Sequence, residues 1–282
     1  MTKWLCALLV ALPLLAQDET TMPLRPLPMG DVLLNLPSNQ IAPHGQWEWK
    51  FTHRFNESIG DGSFSDQLHS LFGLDSGADV VFGASYAIGP NLQLSVVRSN
   101  TNDTFEAAAK YVVLRQTAGR PFNLTLRGGA DIRTERELED RNSLFAQAIV
   151  SRQFGRKGEL FLLPTFATHA GRAVSNDVSG ALFEHAFNVP VAFAWMLRPG
   201  LAAVVELTPP NQDLPDEMGA DLGWAVGVKR NIGGHWFEIL LTNSQSTLVD
   251  QYVTSTFQGT PLDSGEIHLG FNIERRFGRR RQ

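Results

Sequence analysis

The sequence predicts an all-β fold: an antiparallel up-and-down transmembrane β-barrel of about twelve strands, with long outer loops and short periplasmic turns. Three observations carry this. Strand-like segments alternate apolar and polar residues, most cleanly in GQWEWKFTHRFN, Gly45 to Asn56. The connections between segments alternate long and short. An export signal opens the chain, and beyond it there is neither a cysteine nor an apolar run near the ~20 residues a membrane helix needs.

Taken in order, residues 1–16 form a secretory signal peptide, with Lys3, an apolar run from Trp4 to Leu15, and Ala16 ahead of polar Gln17. Its Cys6 is the chain's one cysteine, so the exported protein has no disulfide and no thiolate metal site. Residues 17–44 contain Pro23, Pro26, Pro28, Pro37 and Pro43 and are neither helix nor central strand. They are a lumen plug or a periplasmic leader, with VLLNLP as the part suited to packing. Residues 45–277 are the barrel, and residues 278–282 a basic tail.

In the first strand Trp47, Trp49, Phe51, His53 and Phe55 fall on one face and Glu48, Lys50, Thr52 and Arg54 on the other, because side chains alternate along a strand. The following strands are Ala78 to Ile88, Leu92 to Arg98, Thr104 to Gln116, Phe122 to Arg133, Leu144 to Phe154 and Glu159 to His169. Then come Phe187 to Leu197, Leu201 to Thr208, Asp221 to Arg230, His235 to Asn243 and Glu266 to Phe277. The fifth and last alternate well. Middle strands are less clean: Val112 and Leu114 share a face with Glu106 and Lys110, and Pro164 interrupts another. The mean hydropathy of −0.11 is compatible with a barrel, since only alternate residues of each strand face lipid.

Long links at Glu57 to Gly77, Thr134 to Arg141, Ala170 to Ala186, Pro209 to Ala220 and Ser244 to Gly265 contrast with the tight TAGRP, GRKG, RPG and NIGG turns. Acidic residues, among them Asp66, Asp103, Glu137, Asp177, Asp216 and Asp250, gather on the long side. Arg120, Arg156, Lys157, Arg198, Lys229 and Arg230 gather on the short side. An acidic outer rim is a solvated surface or a holder of cations that bridge to lipopolysaccharide. Phe64 to Leu74 has helically spaced apolar residues and either narrows the pore or caps the outer mouth.

THRF at Thr52 to Phe55, LFGLDSGAD at Leu71 to Asp79, YAIG at Tyr86 to Gly89 and KYVVLRQ at Lys110 to Gln116 resemble an uncharacterised bacterial family of outer-membrane-type β-barrel proteins, a domain of unknown function. The resemblance runs from about GDVLLNLPSNQIAP to the final strand. It implies an outer-membrane-type barrel and brings no catalytic residues. One departure from outer-membrane barrels in general is that Phe277 is followed by GRRRQ, where a terminal aromatic is usual.

Strand parity nominates a lumen set: Lys50, Arg54, Lys110, Arg127, Arg133, Lys229 and Arg276, faced by Asp131, Glu206, Glu266 and Glu274, with Glu106 beside them. These charges either form a lining for small polar or anionic solutes or cross-pair and fill a narrow lumen. Glu274 or Glu48 is the expected partner of Arg54. His53 suits the membrane interface, and no second histidine stands at metal-ligand spacing. No catalytic motif is present, no cofactor is implied, and a net charge of −5 with scattered basic residues speaks against nucleic acid. The expected partners are outer-membrane lipid and lipopolysaccharide, the barrel-assembly machinery, and a small polar solute. Three readings follow: a pore or binding barrel, a non-conducting structural barrel, and a soluble periplasmic β-protein.

Overall fold

The structure, a computed structural model, describes residues 26–59, 62–69, 71, 73–134, 142–171, 183–210, 220–244, 246–257 and 267–278. The expected signal peptide, the basic tail after Gly278 and most of the acidic loop residues lie outside these, as does Glu266.

The strands are β1 (Trp47–Phe55), β2 (Ala78–Ala87), β3 (Leu92–Ser99), β4 (Thr104–Leu114), β5 (Asn123–Arg133), β6 (Asn142–Phe154), β7 (Gly158–Leu162) and β8 (Thr165–Ala170). They continue as β9 (Phe183–Asn188), β10 (Val191–Arg198), β11 (Leu201–Thr208), β12 (Ala220–Asp221), β13 (Gly223–Ile232), β14 (His235–Thr242), β15 (Thr256–Phe257) and β16 (His268–Phe277). All but β12 and β15, which pair with each other, belong to one antiparallel sheet. That sheet closes on itself: β1 joins β16, and β5 joins β6.

Fourteen segments make twelve staves, because β7 with β8 and β9 with β10 are each one stave interrupted by a proline. Pro164 separates β7 from β8, and Pro190 separates β9 from β10. Neither ring nitrogen can donate to a ladder, so the ladder breaks there. The carbonyls beside the breaks still serve: Leu163 N–H donates to Pro190 O at 2.9 Å and Ala148 N–H to Pro164 O at 2.9 Å. The expected strands Glu159 to His169 and Phe187 to Leu197 are therefore each split. The mixed pattern of the fourth strand is kept in the structure: Val112 is buried on the same inward face as Glu106 and Lys110, and a bulge interrupts the register only beyond it, between Val112 and Leu114.

The choice between lipid and a protein core is decided by which face is exposed. Trp49, Phe82, Val96, Leu126, Phe193 and Ile239 are exposed, and each of the twelve staves contributes at least one such large apolar residue. Meanwhile Arg54, Lys229 and Glu274 are fully or almost fully buried. A soluble monomer does not surround itself with a continuous apolar belt; a membrane barrel does. Aromatic pairs mark the ends of the belt, with Trp47 against Tyr86 and Trp49 against Phe277 near the short turns, and His53 stacked on Phe271 at 5.0 Å toward the outer end.

Within the first long loop, α1 (Phe64–His69) turns only Gln67 inward, onto the Ser58 carbonyl. Phe64, Leu68, Leu71 and Leu74 are exposed, so this segment does not pack into the lumen.

Candidate functional site

The lumen is filled by two segments of the chain itself. Residues 26–44 enter at the short-turn end, where Trp236 Nε1 donates to Pro28 O at 2.7 Å. They run to mid-lumen and return to β1 as a hairpin. Leu33 N–H donates to Leu36 O at 2.7 Å and Ser38 N–H to Asp31 O at 2.9 Å, with a bridge between Val32 and Pro37.

Wall carboxylates hold the hairpin by its backbone. At the tip, the N–H groups of Leu34, Asn35 and Leu36 all donate to Glu206, at 2.7, 2.9 and 3.2 Å. Lower down, Asp31 and Val32 N–H donate to Glu274 Oε2 at 2.8 and 3.3 Å. Gly30 turns the chain there with φ +73°, and a Cβ on it would meet both Glu274 oxygens at 3.0 Å. On the return leg Asn39 Nδ2 donates to Ser151 Oγ and Glu159, and Ala42 N–H donates to Gln93 Oε1 at 2.8 Å.

The apolar side of the hairpin explains why the middle strands alternate poorly. Leu27, Met29, Leu33, Leu34 and Leu36 form one buried cluster with Ile149, Phe161, Ala192, Ala194, Val204 and Leu240. The lumen is thus two-sided, with most of its apolar residues along β6 to β11 and most of its charged ones along β1 to β5 and β13 to β16. VLLNLP packs on the apolar side.

From the outer end a second segment, 246–255, folds inward around α2 (Val249–Tyr252). Asp250 accepts from Arg133 Nε at 3.1 Å and Nη2 at 2.6 Å, while its own N–H donates to Asp131 Oδ2. Val249 N–H donates to Glu106, and Gln147 donates to the Tyr252 hydroxyl at 2.7 Å. Asp250 is therefore a lumen residue and not part of an acidic outer rim. The hairpin tip and α2 meet, leaving between them a cavity of about 10 Å³ lined by Asn35, Leu36, Glu206 and Tyr252 among others. That is at the lower limit for a single water.

The nominated residues fall as follows. Lys50 lies 4.0 Å from Asp31 Oδ2, and Lys110 Nζ reaches Asp31 Oδ1 at 2.6 Å and the Gln40 carbonyl at 3.1 Å. Arg127 pairs with Glu106 and lies over the Phe145 ring at 4.8 Å. Lys229 bridges Glu238 and Glu274, and also donates to Val32 O at 2.6 Å. Arg276, at the rim, takes Glu48 and covers Trp236.

Arg54 departs from expectation. Its register partner is Gly270, four residues from Glu274, and its donors go to amides and carbonyls instead: Asn35 Oδ1 at 2.7 Å, Asn272 Oδ1 at 2.8 Å and Leu34 O at 3.2 Å. Glu274 is already bound to Lys229, and Glu48 to Arg276. Gly270 makes the room, since a Cβ there would stand 2.7 Å from Arg54 Cδ.

Parity reasoning left out Glu238, which shares the inward face of β14 with Trp236 and was readable. It also left out Asp31 and Gln93 as lumen groups. Burial tends to raise the Asp31 carboxyl, but the Lys110 and Lys50 ammonium groups outweigh it and hold it well below the usual carboxylate range.

The family model described as "Membrane bound beta barrel domain (DUF5777)" matches residues 30–277. The chain belongs to this family. The DUF5777 match spans both the hairpin and the ring. No curated protein matches the chain. Among solved structures it is similar to the NanC porin, at 6% identity and a TM-score of 0.52, covering 83% of this chain and 100% of that one. It is also similar to an outer membrane channel from Pseudomonas putida F1 (12% identity, TM-score 0.47, 84% and 97% covered). A third is outer membrane phospholipase A from Escherichia coli (10%, 0.41, 85% and 95%). At such identities the likeness is one of fold, that of an outer-membrane-type barrel.

Proposed function

We propose that the protein is an outer-membrane channel for small polar solutes, closed by two of its own segments in the state described. One observation carries the reading: the ring closes without the plug. Every stave pairs with two neighbouring staves, whereas residues 26–44 are held in the lumen by hydrogen bonds and packing. Such an insert can leave without opening a sheet edge. Behind it stands a wall rich in Lys, Arg, Glu, Asn and Gln, a lining suited to polar solutes.

Export by the signal peptide at residues 1–16, insertion by the barrel-assembly machinery, and contact with lipopolysaccharide belong to the same proposal. The protein is read as non-enzymatic. His53 lies on the lipid face, and His268 Nδ1 faces the Phe55 carbonyl at 3.1 Å.

A second reading, a barrel that stays shut and serves structure or interaction, is favoured by the depth of the filling around Arg54 and Lys229. Planar-bilayer recording separates the two. The forms to compare are the mature chain, a form lacking residues 28–40, and a form that also replaces 246–255 by a Gly-Ser linker. Conductance steps are expected on removing the inserts. Silence from all three, each migrating as a heat-modifiable barrel, would overturn the channel in favour of the shut barrel.

A further inference from the structure

The hairpin is a peptide held mainly by its main chain. On its inward leg Asp31 and Val32 N–H donate to Glu274, while Lys110 donates to Asp31 O at 3.2 Å and Lys229 to Val32 O at 2.6 Å. At the tip three successive N–H groups converge on Glu206, and the Leu34 carbonyl accepts from Arg54 Nη2 at 3.2 Å and Asn272 Nδ2 at 2.7 Å. On the return leg Thr125 Oγ1 donates to Asn39 O at 3.1 Å and Lys110 to Gln40 O. Of the polar side chains, Asp31, Asn35 and Asn39 reach the wall, whereas Ser38 and Gln40 bond back onto Gly30 O and Leu27 O. The outer segment is held in the same way: Val249 and Asp250 N–H donate to Glu106 and Asp131, each at 3.2 Å, and Asn188 Nδ2 donates to Val253 O at 2.9 Å.

Buried peptide groups must be paired, and here side chains of the ring do most of the pairing. Withdrawing the hairpin takes donors from Glu206, Glu274 and Glu159 in the same step that it takes acceptors from Lys110, Lys229 and Arg54. The opened wall therefore asks for donors and acceptors together. A simple anion or cation answers half of that demand, and a main chain, with one N–H and one C=O in each residue, answers both. Across the lumen, Leu33, Leu34 and Leu36 share a buried cluster with Ile149, Phe161 and Leu240. That half suits branched apolar side chains, and a sugar would bury hydroxyls against it at a cost.

We infer that the solutes of this channel are short peptides with apolar side chains, bound through their main chain by the wall groups that hold the hairpin, with Glu206 taking consecutive N–H groups. The hairpin is then a tethered copy of the solute, and a free peptide competes with it. This rests on the channel reading above.

The test records the full exported chain in planar bilayers, with Gly30→Val and Leu34→Asp introduced to unseat the hairpin. The first sets a branched side chain against Glu274 at a φ of +73°, and the second puts a carboxylate on the residue whose N–H meets Glu206. The lining stays intact, and openings are expected to rise at least tenfold over the parent. The probe is N-acetyl-Leu-Asn-Leu-amide, neutral at both ends. At millimolar concentration it should block the current. Methylating its main-chain nitrogens should weaken the block at least tenfold, and Glu206→Gln in the protein at least fivefold. A block that is absent, survives methylation, is unchanged by Glu206→Gln or is matched by maltotriose overturns the peptide assignment and leaves the channel standing. If the unseated variant is silent and the form lacking residues 28–40 conducts, the same comparisons on that form decide. Silence of every form overturns both readings.

Discussion

Lys229 is the residue on which most buried charge converges, with Glu238, Glu274 and the Val32 carbonyl all at its ammonium group. Lys229→Met leaves two carboxylates facing each other and is expected to cost about 3–5 kcal/mol in urea unfolding from lipid vesicles. Adding Glu274→Gln should recover part of that loss, a coupling a double-mutant cycle will register. Asp31 gives a test with a pH signature. Its carboxyl titrates below the ordinary value of about 3.9, so its contribution to docking is full above that value and fades as pH falls through the lower folded-state one. Asp31→Asn should therefore differ from the parent in channel openings between about pH 5 and 8, and the difference should close only below about pH 4.

Among elements, the strands were more legible than the inserts, for a physical reason. Parity within a strand is local, so Lys50, Arg127 and Glu206 could be set on the inward face from their immediate neighbours alone. Asp31 and Asp250 sit in segments without strand parity. Their positions are fixed by partners 79 and 117 residues away, Lys110 and Arg133. The apolar half of the lumen was misleading because the leucines it receives come from the hairpin. A clue to the outer insert was present in Leu248, Val249, Tyr252 and Val253, one helical turn of apolar residues in an otherwise polar loop. The hairpin can be checked chemically, since Cys6 is the chain's one cysteine and lies outside the hairpin. With Leu33→Cys, a maleimide that does not cross membranes should fail to label the folded parent. In the Asp31→Asn, Asp250→Asn background, labelling should be at least tenfold faster.

At the scale of the whole molecule, the inside-out distribution of polarity makes lipid a structural partner. Placing a charge in the belt, as in Ile239→Lys, should cost about 2–4 kcal/mol near the bilayer midplane. A parallel exchange in the lumen should leave membrane insertion unchanged. Vesicle-insertion yields followed by heat-modifiable migration measure both. The hydrogen bond from Asp31 to Glu274 also ties together positions 243 residues apart. Glu274 is placed only when the last stave has paired with the first, so the segment that leaves the ribosome early must find its seat among the last contacts to form. Loop closure over such a separation is entropically slow. The bond between Asp31 and Glu274 is therefore made only once the ring has closed, so its formation marks the end of assembly.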